Sequence, residues 1–166
     1  MEMIEFNAKL FDIKNPPLKP VLESEFLEVE IQLNLIFPSD YKYISQLLGA
    51  GEITSISLQI FTPYRIRDVL GPESRNRLKE FWFWTESSDT LTQQKAIDCF
   101  PFFGSTLGDE ILFHPSNLDQ WFILPRHDNE IIVVHNLDEL ISFYLDRESS
   151  FDDDFTIPEV LNFQVW

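Results

Sequence analysis

The sequence predicts an α+β fold: a single domain in which an antiparallel β-sheet meander is flanked by helices. Three observations predict it. First, three short runs rich in Ile, Val, Phe and Trp, "DEILFH", "DQWFIL" and "EIIVVH", follow one another from residue 109. "PSN" and "PRHDN" lie between them and supply turn chemistry, so the runs pair most simply as an antiparallel meander. Second, apolar residues recur at helical spacing on both sides of this region. Third, 44% of the 166 residues are hydrophobic and sixteen are Phe, enough for a packed aromatic core in one domain.

Residues 1–21 are expected to be an extended lead-in. Pro16, Pro17 and Pro20 exclude helix there, because proline gives no N–H and restricts the residue before it. A first helix is predicted at 22–34, where Leu22, Phe26, Val29 and Leu33 recur with Glu23, Glu25, Glu28 and Glu30 between them. A second helix is predicted in "FPSDYKYISQLLGAG". Pro38 suits its first turn, Ser39 and Asp40 offer oxygens to unpaired amides, and Gly49 and Gly51 can take positive φ at its end. "EITSISLQIF" alternates and predicts one half-buried strand. Residues 62–71 read as a loop, "PESRNRLKEFWFW" as a short helix ending in aromatics, and 85–98 as a loop with a helical turn at "LTQQKAI". After the meander, "NLDELISFYLDR" predicts a helix capped by Asn136 or Asp138, with Leu137, Leu140, Ile141 and Tyr144 on its buried side. The domain proper is expected at 22–146. Residues 147–166 form an acidic extension whose apolar end, "LNFQVW", docks on the body.

The net charge is −16, and it is uneven. Residues 1–58 carry nine acids and four bases, residues 59–108 six of each, and residues 109–166 thirteen acids against two bases. So negative a surface repels nucleic acid and anionic membrane, and it favours a basic partner or simply keeps the chain in solution, two readings that charge alone does not separate. Cys99 is the single cysteine, no apolar run reaches a membrane span, and the start is not a signal peptide, so a cytoplasmic protein is expected.

The stretch "CFPFFGSTLGDEILFHP" decides most of the chemistry. Its Gly104–Glu110 segment lacks the lysine and following helix that a phosphate loop needs, and it ends on two acids. Ser105 lacks the Gly-x-Ser-x-Gly elbow of a nucleophile and reads as a turn serine. His114, His127 and His135 match no metal spacing. Asp152, Asp153 and Asp154 are consecutive, without the spaced ligands and glycine of a calcium loop. Cys99 sits among an acid and bulky apolar residues, which suits a buried structural thiol. Trp82, Phe83 and Trp84 could wall a ligand site, although packing is the more usual fate of such a cluster. Arg65, Arg67, Arg75, Arg77 and Lys79 either pair with the acidic last third or mark a contact with an anion or partner. No catalytic constellation, metal site or cofactor is expected.

Two stretches resemble the SUKH superfamily, the Smi/Knr-like domains. In "SEFLEVEIQLNLIFPSDYKYISQLLGAGE" a helix leads to Phe37-Pro38-Ser39-Asp40-Tyr41, similar to the family's Leu-Pro-x-Asp-Tyr step, then a second helix and a Gly49-Ala50-Gly51 close. In "FPFFGSTLGDEILF", Pro101-Phe102 and the Gly108-Asp109 turn before a strand resemble its second signature, and "LDELISFYL" stands where its last helix would. The likeness covers 22–146. Phe stands for Leu before Pro38, the closing Asn-Gly is lost, and 53–98 match nothing clearly. The resemblance implies a SUKH-like sheet with Gly108-Asp109 as a turn and Pro101-Phe102 as core. It also implies a non-enzymatic bacterial immunity protein that binds and neutralises a cognate toxin, often a basic nuclease. Partner contacts are then expected at Asp109, Glu110, Asp119, Asp128, Glu130 and Asp152–Asp154, with Trp121 as an aromatic anchor. The alternative is a regulatory or scaffold domain in cell-wall control or beside a secretion channel. A monomer or weak homodimer is expected.

Overall fold

Eight strands form one sheet in the computed structural model, which describes residues 8–166. They are β1 (Phe11–Lys14), β2 (Gly51–Ile53), β3 (Leu58–Ile60), β4 (Phe100–Ser105), β5 (Glu110–His114), β6 (Asn117–Leu124), β7 (Ile132–Val134) and β8 (Leu161–Val165). Their order is β1-β8-β2-β3-β4-β5-β6-β7. Only β1 and β8 run parallel; every other neighbouring pair is antiparallel. The predicted α+β class and the meander of β5, β6 and β7 are both present.

The helices are α1 (Glu23–Leu33), α2 (Ser39–Leu48), α3 (Pro63–Arg65), α4 (Gly71–Glu80), α5 (Gln93–Ile97) and α6 (Leu137–Phe151). Phe26 and Val29 of α1, Tyr41, Ile44 and Leu48 of α2, and Leu137, Leu140, Ile141 and Tyr144 of α6 are buried, as their spacing predicts. Asn136 caps α6, its Oδ1 accepting the Glu139 N–H at 2.9 Å. The cap expected of Ser39 and Asp40 on α2 is not made. Asp40 instead spends its carboxylate on the Leu137 N–H, 2.9 Å away at the start of α6. Gly49 ends α2 at φ +81, while Gly51 is a strand residue. Gly51 is needed for closeness: a Cβ there would lie 2.3 Å from the Gln164 carbonyl oxygen and 2.4 Å from the Phe163 ring.

Three expectations are corrected. The single strand at "EITSISLQIF" is a hairpin of β2 and β3, turned at 54–57 with Ser57 at φ +58. Ile56, Leu58 and Ile60 are buried all the same, because Ile56 tucks inward from the turn and preserves the alternation. The loop at 62–71 is helical. Thr62 caps α3 by accepting the Arg65 N–H at 3.2 Å, and the chain runs through a π-turn, Ile66–Leu70, into α4. That wide turn comes just before Pro72, whose missing N–H and ring would break an ordinary α-turn. Finally, the tail is a strand within the sheet rather than a segment laid on it: β8 sits between β1 and β2.

Both faces of the central strands are covered. Ile111, Phe113, Trp121 and Ile123 belong to the larger core, with the buried residues of α1, α2 and α6. Leu112, Phe122 and Leu124 belong to a second core with Leu78, Trp84, Leu91, Ala96 and Cys99. A bulge between Pro101 and Phe103 lets Phe102 and Phe103 both enter the larger core. There the Tyr41 ring meets Phe26, Phe37, Phe102 and Phe103 at centroid distances of 5.2–5.8 Å, and its hydroxyl donates to the Phe61 carbonyl at 2.5 Å.

Cys99 is buried, and burial pushes its thiol up to about 12, with Asp98 adding to the rise and Lys95 opposing it. Thiolate is the reactive form, so alkylation by iodoacetamide at pH 8 is expected only through unfolding. Mass spectrometry in native buffer should find Cys99 unmodified, and prompt labelling would contradict its placement. An acid held protonated by the fold loses its stabilising contribution as pH rises, here between about pH 9 and 12.

Candidate functional site

The Gly108-Asp109 turn is a structural junction. Gly108 takes φ +93, and the Asp109 N–H donates to Ser105 Oγ at 3.1 Å, so Ser105 is a turn serine as expected. The Asp109 side chain is fully buried. Its Oδ2 accepts the Tyr144 hydroxyl at 2.9 Å and the Arg147 guanidinium, and its Oδ1 accepts the Arg126 N–H at 3.1 Å. Burial first, and the adjacent Asp109 second, drive the Tyr144 hydroxyl well above its ordinary range, so it remains a donor. Asp40 and Asp109 therefore anchor the two ends of α6 to the body. Both belong to the stretches that carry the SUKH resemblance.

The expected contact residues do not form one patch. Asp109 is buried and occupied by its own fold, so it offers nothing to a partner. Glu110 is ion-paired to Arg77 of α4. Trp121 is 1% exposed, flanked by Phe102 and Phe103, and gives its indole N–H to the Leu118 carbonyl at 2.8 Å. It is core, not an anchor. Asp119 is exposed near the start of β6, the opposite end of that strand from Asp128 and Glu130.

The remaining five acids share one end of the sheet. Asp128 and Glu130 follow β6, whose Leu124 pairs with Glu110 beside the β4–β5 turn. The last turns of α6 reach the same turn through Arg147, and Asp152–Asp154 come directly after α6. All five are exposed and form no ion pair among the described residues. Phe151, 71% exposed, stands next to the acidic run. It is not among the expected contacts, because in the sequence it opens the acidic tail segment. Spacing gave no signal: Phe151 lies at heptad spacing from the buried Leu137 and Tyr144, and it is exposed because α6 runs past the body there.

The basic cluster does not act as a unit. Arg67 pairs with Asp68 and Glu28 and donates to Gln32. Arg65 lies over the Phe61 and Trp166 rings, Arg75 lies over Phe100, and among the described residues only Arg77 of the cluster pairs with an acid of the last third, Glu110.

A cleft of about 460 Å³ opens on the second-core side of the sheet. Phe81, Phe83 and Trp84 form one wall, and Phe103 and Leu124 lie among its apolar lining. Arg77, Glu110 and Arg126 also line it. The Trp84 indole N–H donates to the Pro125 carbonyl at 3.3 Å, and the Phe83 ring stacks on Trp84 with centroids 3.9 Å apart. Part of the aromatic cluster thus packs, as the sequence favours, and part faces an open cavity. Among the described residues, no three His, Cys, Asp or Glu side chains converge to hold a metal, and no helix is long and apolar enough to cross a membrane.

No protein-family model matches the chain, and no curated protein matches it.

Proposed function

We propose that this chain is a non-enzymatic, cytoplasmic immunity protein that binds and neutralises a basic toxin through the acidic end of its sheet. The observation that carries the reading is the group of exposed carboxylates Asp128, Glu130 and Asp152–Asp154, none of them in an ion pair among the described residues, with the exposed ring of Phe151 next to the last three. A nuclease-type toxin is basic where it holds phosphates, and carboxylates presented at that surface compete for the same cations. Complementary charge raises the encounter rate, and an exposed aromatic gives the contact a desolvated centre. The resemblance to SUKH domains supplies the toxin class, and the charge count supports it independently.

Affinity capture from the native lysate at low salt, with elution by rising salt, is the test. The expected catch is a basic protein that arrests growth when expressed alone and is tolerated when co-expressed with this chain. A captured partner that is harmless alone and belongs to a regulatory or secretion assembly would replace this reading with the scaffold one.

A further inference from the structure

We propose that the aromatic cleft between the 81–84 segment and the β4–β5 turn is a small-molecule site for a planar aromatic monocarboxylate of one or two rings. This site does not rest on the immunity reading.

The cleft has the size of a ligand pocket, about 460 Å³, and the mixed lining such pockets use. Its exposed apolar surface is chiefly aromatic: Phe81, more than half exposed, and the stacked Phe83 and Trp84. Flat rings of this kind receive another flat ring by stacking or by edge contact.

The charges define the other half of the ligand. Arg77 is neutralised by Glu110, and Arg147 by Asp109. Arg126 has no ion-pair or side-chain hydrogen-bond partner among the described residues. Yet it is not a loose surface arginine. Its backbone N–H is held by Asp109 Oδ1 at 3.1 Å, and the carbonyl of the preceding Pro125 accepts from Trp84. Its stem lies across Gly108, where a Cβ would come within 2.6 Å of Arg126 Cδ and 3.2 Å of Nη1. The cleft therefore carries one pre-positioned, uncompensated guanidinium, whose planar fork matches a carboxylate. With the other two arginines each paired to an acid, the cleft offers one unit of positive charge, which matches a carboxylate and not the two charges of a phosphate monoester. Gln59, half-buried in the lining and with no side-chain hydrogen-bond partner among the described residues, adds one neutral polar contact.

The test uses 1-naphthoate and its uncharged isostere 1-naphthamide, titrated into the full chain by calorimetry and by tryptophan fluorescence. Saturable naphthoate binding at least about tenfold tighter than naphthamide is expected, from the worth of a charge-assisted pair. Arg126→Gln is at an exposed side chain and should fold; it is expected to remove the preference while leaving naphthamide binding intact. Lys79→Gln, a charge-matched control outside the lining, should keep the preference. Absence of saturable naphthoate binding, equal affinity for the two probes, or a preference that survives in Arg126→Gln each overturns the proposal.

Discussion

Replacing Asp109 with alanine is expected to lower the free energy of unfolding by about 3–5 kcal/mol, the usual cost of breaking a buried ion pair by removing one partner. The magnitude follows from what remains behind. The Arg147 guanidinium, itself largely covered, would lose its counter-charge, and the Tyr144 hydroxyl and the Arg126 N–H would lose their acceptor. Asp109→Asn keeps an acceptor oxygen while removing the charge, so it should cost clearly less than alanine. Asp109→Asn combined with Arg147→Met should recover part of the alanine loss, since no lone charge then stays under cover. Urea unfolding of the three variants reads all of this. A loss below about 1 kcal/mol for Asp109→Ala would mean that the junction between α6 and the β4–β5 turn is not formed in solution.

Phe163→Ala is the second large effect, expected at about 3–5 kcal/mol for truncating a fully buried aromatic. Phe163 is 0% exposed, packs edge-on to Phe11 at 6.4 Å and lies against Gly51. Its strand is bonded on both sides, parallel to β1 and antiparallel to β2. The cavity left by truncation would lie between the first, second and last strands. A terminal segment merely resting on a finished domain would tolerate the change within about 1 kcal/mol, because it could lift away. Urea unfolding again decides, and the same variant should bring early cooperative loss of β1 if the sheet closes through β8.

What the sequence reveals depends on how many faces an element buries. The helices α1, α2 and α6 each bury one stripe, so their spacing is legible and their core residues are the ones observed. The strands β5, β6 and β7 are bounded by unmistakable turn residues. In contrast, β4 is covered on both faces and bulged, so "FPFFGS" shows no alternation and reads as a cluster rather than a strand. The hairpin of β2 and β3 hides because its turn keeps an isoleucine inside. Local pattern also says nothing about partners distant along the chain. The use of Asp109 depends on Arg147, 38 residues on, and the cleft brings Phe83 and Trp84 beside Arg126. The resemblance and the charge count together put Asp109 and Glu110 in the expected contact surface, yet both are spent on arginines within the fold. The same counting did mark Asp128, Glu130 and Asp152–Asp154, which the fold leaves open.

The central claim is that this open acidic end meets a basic partner, and association kinetics test it most directly. The captured partner would be mixed by stopped flow with the native chain and with Asp152→Lys/Asp153→Lys/Asp154→Lys, from low to high salt. The account predicts that the variant associates roughly tenfold or more slowly at low salt, with a flatter dependence on ionic strength, as expected when electrostatic steering is removed. Equal on-rates and parallel salt slopes for the two proteins would contradict it, and would take residues 152–154 out of the interface.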